Sequence, residues 1–150
     1  MNVRTAPRMD KDAFFAWAAT QERKFELVDG VPVMQPMVTS NHNRITMNVA
    51  VYLAQVLDRD VWDVSAGDFA IETGERSVRY ADVMVFPFDP RPDGRSTVVA
   101  PVVVEVLSET TSRTDLGPKV IEYGALPGVD VYLIAAQNEA LVKVWRRNAD

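Results

Sequence analysis

The sequence predicts a mixed α/β sheet domain, and three observations predict it. Segments with helical spacing alternate with groups of β-rich segments, in the order helix, strands, helix, strands. The run from Val98 to Ser108 is almost continuously apolar, as a central strand buried on both faces requires. Two short apolar runs flank Asp29-Gly30, a strong two-residue hairpin signal.

Residues 1–9 read as a loose lead-in. Asp10 can cap a short helix through about Thr20, with Phe14, Phe15 and Trp17 supplying apolar contact. The hairpin occupies 25–34, and Pro32 places its second arm at a sheet edge or makes it irregular. Ser40 can cap the next helix, over 41–58. There Ile45, Val49, Tyr52, Leu53, Val56 and Leu57 recur at helical spacing. Two strands follow, at 61–72 and 78–86, rich in β-branched and aromatic residues. A proline- and glycine-rich loop, 88–97, leads into the central strand at 98–108. Thr111 or Thr114 can cap a helix to about Ala125, with Pro118 tolerated only near its first turn. Strands at 129–136 and 140–147 complete the chain.

The length of 150 residues suits one domain, 1–150, with room for a full core. The hydrophobic and charged fractions, 47% and 25%, are those of a globular chain and argue against disorder. There is no cysteine, so disulfides, thiolate metal sites and cysteine nucleophiles are excluded. A single histidine excludes any site needing two imidazoles. Oxygen ligands remain, which suit magnesium, manganese or calcium. Sixteen basic residues against 21 acidic give a net charge of −5, unfavourable to holding nucleic acid by bulk electrostatics. The opening MNVRTAPRMDKD shows no secretory signal, and the apolar run at Val98–Val104 is far too short to span a membrane. A cytoplasmic location is the expectation.

Charge stands where charge is costly. Glu105 lies inside Val102-Val103-Val104-Glu105-Val106-Leu107, and Asp82 lies inside Tyr80-Ala81-Asp82-Val83-Met84-Val85. A carboxylate in a buried strand must be paired, metal-bound or turned to a cleft. Two neighbouring strands with acids at one depth would bring the carboxylates together, and a divalent cation relieves their repulsion. Lys119 can return over the strand end from the next helix, and Tyr123 shares its face. Glu26 is a third acid inside an apolar run. The plain alternatives are solvent-face acids, a helix-surface lysine and, for His42, a polar residue of a first helical turn.

The segments FELVDG, RYADVMVF, PVVVEVLSETT and DLGPKVIEYGALPGVDVYLI, in that order, resemble the Uma-two family of the PD-(D/E)XK nuclease superfamily, from about residue 24 to 147. The resemblance implies a restriction-endonuclease-like fold of the α/β (α+β) class, a mixed β-sheet flanked by helices. It implies Asp82 as the motif aspartate and Glu105 as the second acid. The motif lysine would be Lys119 on the following helix, since Leu107 holds the usual strand position. Glu26 would be the hairpin acid, which binds a second ion or fixes Lys119, and the Val106 carbonyl a further metal ligand. Family members usually carry Tyr-Pro-Asp and Ser-Pro-Ser-Thr where this chain has Tyr80-Ala81-Asp82 and Ser108-Glu109-Thr110-Thr111. The proline carries no ligand, whereas the glutamate adds a charge beside the site.

The implied function is a Mg2+-dependent (or Mn2+-dependent) endonuclease hydrolysing DNA phosphodiester bonds. His42, Arg76, Arg79 and Arg113 are candidate phosphate contacts, with Tyr123 a further candidate for substrate binding. A homodimer would place two sites for cutting both strands. The competing expectation is a catalytically inactive module of the same fold that binds nucleic acid or protein. A metal-free glycosidase using Asp82 and Glu105 is a third.

Overall fold

The computed structural model describes residues 8–90, 93–107 and 116–148. Asp10 caps α1 (Lys11–Ala18) as expected, its carboxylate accepting from the Ala13 N–H at 2.8 Å. Phe14 is fully buried and packs on Leu27, Ala70 and Val78, while Trp17 meets Phe25 edge to face at 4.9 Å. The hairpin pairs β1 (Phe25–Val28) with β2 (Val31–Met34). Asp29 and Gly30 both take positive φ, 46° and 82°, as its tight turn demands. A Cβ on Gly30 would meet the Arg8 Cβ at 2.6 Å, so glycine is required there for space as well as for φ. β2 is an edge strand, the place Pro32 allows.

α2 (Ser40–Val56) begins one residue earlier than expected, because Thr39 and not Ser40 caps it. Thr39 Oγ1 accepts from the His42 N–H at 3.2 Å and also bonds Gln137 Oε1 at 2.8 Å, so the cap doubles as a tether. The residues of α2 turned fully inward are His42, Thr46 and Ala50, small or polar side chains that let the helix lie close to the sheet. Ile45, Val49 and Leu53 flank them half-buried, and Tyr52 and Val56, expected on the apolar face, are exposed.

Each of the two long strands read from the sequence is interrupted. The chain forms β3 (Trp62–Ser65), β4 (Ala70–Gly74), β5 (Ser77–Arg79) and β6 (Val83–Pro87). The interruptions, around Gly67 (φ 90°) and at Tyr80-Ala81-Asp82, are where the backbone passes from one sheet to another. β7 (Ser96–Thr97) pairs parallel to β4. β8 (Val102–Leu107) starts beyond Pro101, which has no N–H for a ladder. α3 (Leu116–Gly124) carries Pro118 in its first turn, and β9 (Val131–Ala136) and β10 (Val142–Arg146) follow. The caps expected at Thr111 or Thr114, like Arg113 and the segment 108–111, lie outside the described residues.

The first sheet has the order β2-β1-β5-β4-β7 and the second β10-β9-β8-β6-β3, with β8 at its centre. β8 runs parallel to β9 and antiparallel to β6, so the second sheet is mixed. Alternation along β8 assigns its faces. Val102 and Val104 pack toward α2 with Ala50 and Val83, whereas Val103 joins Met84, Tyr123 and Tyr132 on the opposite side. Glu105 therefore projects on the α3 side. Among the described residues no helix is long and apolar enough to cross a membrane.

Candidate active site

β6 and β8 pair Val83 with Val104. Continuing that register by one residue places Asp82 across from Glu105, just where β6 has left the ladder. Asp82 Oδ2 accepts from the Val106 N–H at 2.6 Å and lies 3.2 Å from His42 Nε2. Glu105 Oε1 accepts from Lys119 Nζ at 3.0 Å and from the Tyr123 hydroxyl at 3.3 Å. Lys119 Nζ also stands 3.8 Å from Glu26 Oε1. These groups share a cleft of about 450 Å³, lined by Glu26, His42, Asp82, Glu105, Val106 and Lys119. Apolar residues of β2 and the segment before α2, among them Met34, Met37 and Val38, form another part of its wall. The strand and helix spacings thus bring Asp82, Glu105, Lys119 and Glu26 together.

The other candidates fall in different places. Tyr123 is fully buried behind Glu105, bonded to it, and is not part of the cleft wall. Arg79 lines the cleft, but its guanidinium is engaged by two carboxylates. It donates to Glu26 Oε2 at 3.1 Å and binds Glu122 through Nε and Nη2, the latter at 2.5 Å. Thr73 also donates to Glu122. Arg76 sits in the turn before β5, its main-chain carbonyl accepting from the Gly30 N–H at 2.7 Å. Arg113 lies outside the described residues. Sequence reasoning missed Tyr132. Its hydroxyl is buried without a hydrogen-bond partner among the described residues, and its ring packs at 5.0 Å on Tyr123 at the cleft floor. A tyrosine inside the apolar run VDVYLIAA was the available signal, because a buried hydroxyl needs an acceptor.

The electrostatics follow from burial. Desolvation pushes the Glu105 carboxyl up to about 7; Lys119 opposes the shift, and Asp82 and Glu26 reinforce it. Burial works against the Lys119 charge, but Glu105 and Glu26 outweigh it and raise its pKa above the ordinary value. Among the described residues, Glu26, Glu105 and Glu122 pair with two cations, Arg79 and Lys119, while Asp82 is met by the Val106 N–H and His42. No three His, Asp or Glu side chains among the described residues form a ready ligand group. A divalent ion would therefore be held by Asp82 and Glu105 with main-chain or solvent oxygens, a donor set that suits magnesium and manganese.

This environment has a thermodynamic signature. The Glu105 pKa rises on folding from about 4.5 to about 7. A raised carboxyl contributes stability below pH 4.5 that is lost as the pH climbs through 7. In the presence of chelator, Glu105→Gln should flatten that loss. Calorimetric unfolding at pH 5 and pH 8 reads it, and an unchanged pH dependence would remove Glu105 as its source.

A family model described as Uma2, "Putative restriction endonuclease", matches residues 12–150. Two uncharacterized proteins of Synechocystis sp. are each 27% identical to the chain. One alignment covers 96% of this chain and 77% of the relative; the other covers 76% and 67%. In three dimensions the chain is similar to a crystal structure from Anabaena variabilis described as "a putative nuclease belonging to DUF820". The TM-score is 0.76 at 17% identity, covering 95% of this chain and 82% of that one. That likeness establishes a shared fold.

Proposed function

From the premise that the chain belongs to the Uma2 family, whose model is described as "Putative restriction endonuclease", we propose that it is a magnesium-dependent endonuclease that hydrolyses phosphodiester bonds in DNA. The observation that carries this reading is the meeting of Asp82, Glu105 and Lys119 in one cleft. Asp82 and Glu105 would hold the ion, with the Val106 carbonyl as a further ligand. When bound, magnesium (or manganese) supplies Lewis-acid polarisation of a phosphoryl oxygen and a water of lowered pKa.

The chain's own groups do the remaining work. Lys119 keeps its proton at neutral pH, because its pKa is raised. Its ammonium would orient the attacking water and offset charge that develops on the phosphate. Glu26 holds that ammonium over Glu105 and is itself balanced by Arg79. The Val106 N–H and His42 fix one oxygen of Asp82. The partner that follows is DNA, and a homodimer would pair two such clefts for a double-strand cut.

Calorimetric titration of manganese into the wild-type chain and into Asp82→Asn tests the site. The wild type should bind and the variant should lose binding by about 100-fold or more while keeping its unfolding temperature. Equal affinity in the two would overturn the assignment. Magnesium-dependent, EDTA-sensitive cleavage of DNA then tests the reaction itself. Binding without cleavage of any DNA would favour a module that has kept the fold and lost the chemistry.

A further inference from the structure

We propose that His42 is a positioning residue for Asp82, so that the metal affinity of the cleft depends on a side chain that touches neither metal nor substrate. The proposal rests on the reading of Asp82 as a ligand and assigns His42 a role other than contact with phosphate. His42 Nε2 lies 3.2 Å from Asp82 Oδ2. A carboxylate only accepts, so Nε2 carries the hydrogen and Nδ1 is the remaining ring nitrogen. Nδ1 faces Thr46 Oγ1 at 3.5 Å, one helical turn on, a hydroxyl able to donate to it. The side chain is 8% exposed, held between the helix that carries it and the carboxylate it meets.

The geometry of the second donor strengthens the assignment. Asp82 sits in the interruption between β5 and β6, where no strand ladder fixes its backbone. Its carboxylate is held instead by two donors from different elements, the Val106 N–H of β8 at 2.6 Å and the imidazole of α2. Both bonds fall on Oδ2. Two donors from separate elements restrain the position of that oxygen more than one donor could.

The anchorage of His42 is equally built. Its main-chain N–H is capped by Thr39 Oγ1, and Thr39 bonds Gln137 Oε1 at 2.8 Å. Asn41 Nδ2 donates to the Gln137 carbonyl at 2.6 Å. Gln137 directly follows β9, the parallel neighbour of the strand that carries Glu105. The first turn of α2 is thereby tied to the same sheet that presents the second acid. The imidazole is located relative to Glu105 as well as to Asp82.

Manganese titration by calorimetry tests this on five chains: wild type, His42→Ala, His42→Gln, Asp82→Asn and the double variant His42→Ala, Asp82→Asn. Thermal unfolding of each is measured without metal. Loss of the histidine should weaken manganese binding about 10–100-fold, the usual effect of removing an outer-shell partner. His42→Gln keeps an N–H donor within reach of Asp82 and should recover most of that loss. A histidine that only packs the helix would lower the unfolding temperature and leave the affinity of the folded protein unchanged. In Asp82→Asn, adding His42→Ala should change manganese binding no further. The proposal is overturned if folded His42→Ala binds manganese as the wild type does. It is also overturned if His42→Gln is as weak as His42→Ala, which would require the imidazole itself as a ligand. If His42→Ala does not fold, the comparison of His42→Gln with the wild type decides alone, and a large loss overturns the donor role. Binding retained in His42→Ala but lost in Asp82→Asn would sink this proposal and leave the metal site standing. A wild type that binds no manganese would sink both.

Discussion

If the proposed reaction holds, Lys119→Met should lower the rate of DNA cleavage about 10²–10⁴-fold at saturating manganese, the range set by removing one positioned charge or proton-handling group from a reaction centre. The effect falls on the rate at saturating DNA more than on the DNA concentration needed for half-maximal rate. This ammonium sits on Glu105 and beside Glu26, inside the cleft, and not on an open surface where it could gather DNA. Methionine keeps most of the stem and removes the charge. Its removal leaves Glu105 and Glu26 without their shared cation, so the Glu105 pKa rises further and metal loading shifts to higher pH. Single-turnover cleavage measured across pH separates the two consequences. A rate that recovers fully at high pH would show that Lys119 serves only to keep Glu105 ionised. A deficit that persists there assigns it to the chemical step.

Arg79→Met destabilises the protein by about 3–5 kcal/mol, the cost of leaving buried carboxylates without their counter-charge. Arg79 is 6% exposed and its partner Glu26 2% exposed. Glu122 is the second partner, held through Nε and Nη2. Denaturant unfolding measures the loss. The double variant Arg79→Met, Glu26→Gln should be less destabilised than the sum of its single changes, because one change removes the charge that the other leaves unpaired. If the variant unfolds like the wild type but requires far more DNA to reach half-maximal cleavage, Arg79 is a phosphate contact after all.

Local signals in the chain were legible, and contacts between distant segments were less so. Asp29-Gly30 specifies its own turn, and Asp10 caps its own helix, because both act on neighbours within four residues. The acids Asp82 and Glu105 stood out because each interrupts an apolar run. The run 61–72 looks continuous in composition, yet Gly67 lets the backbone turn into a second sheet. Nothing in the order of residues states which sheet will receive each half. Arg79 follows the same logic. In sequence it is an arginine beside a nuclease-like motif; only the fold brings Glu26 and Glu122 to it from β1 and α3. Thr39 outranked Ser40 as a cap because Gln137, 98 residues away, also holds its hydroxyl.

The passage of the chain from one sheet to the other at Tyr80-Ala81-Asp82 bears on how relatives of this protein can be compared. Where strands part, main-chain donors lose ladder acceptors and must find others. Glu26 Oε1 takes the Tyr80 N–H at 3.0 Å, and Asp82 Oδ2 takes the Val106 N–H at 2.6 Å. These two acids therefore serve the backbone as well as the cleft. A relative without the proposed hydrolysis would still use acceptors at these two positions to satisfy main-chain donors. The described hydrogen bonds of Glu105, to Lys119 and Tyr123, come only from side chains. In a set of diverged sequences, retention of Glu26 and Asp82 would thus follow from architecture as well as from the proposed reaction, whereas joint retention or joint loss of Glu105 and Lys119 would track that reaction more closely.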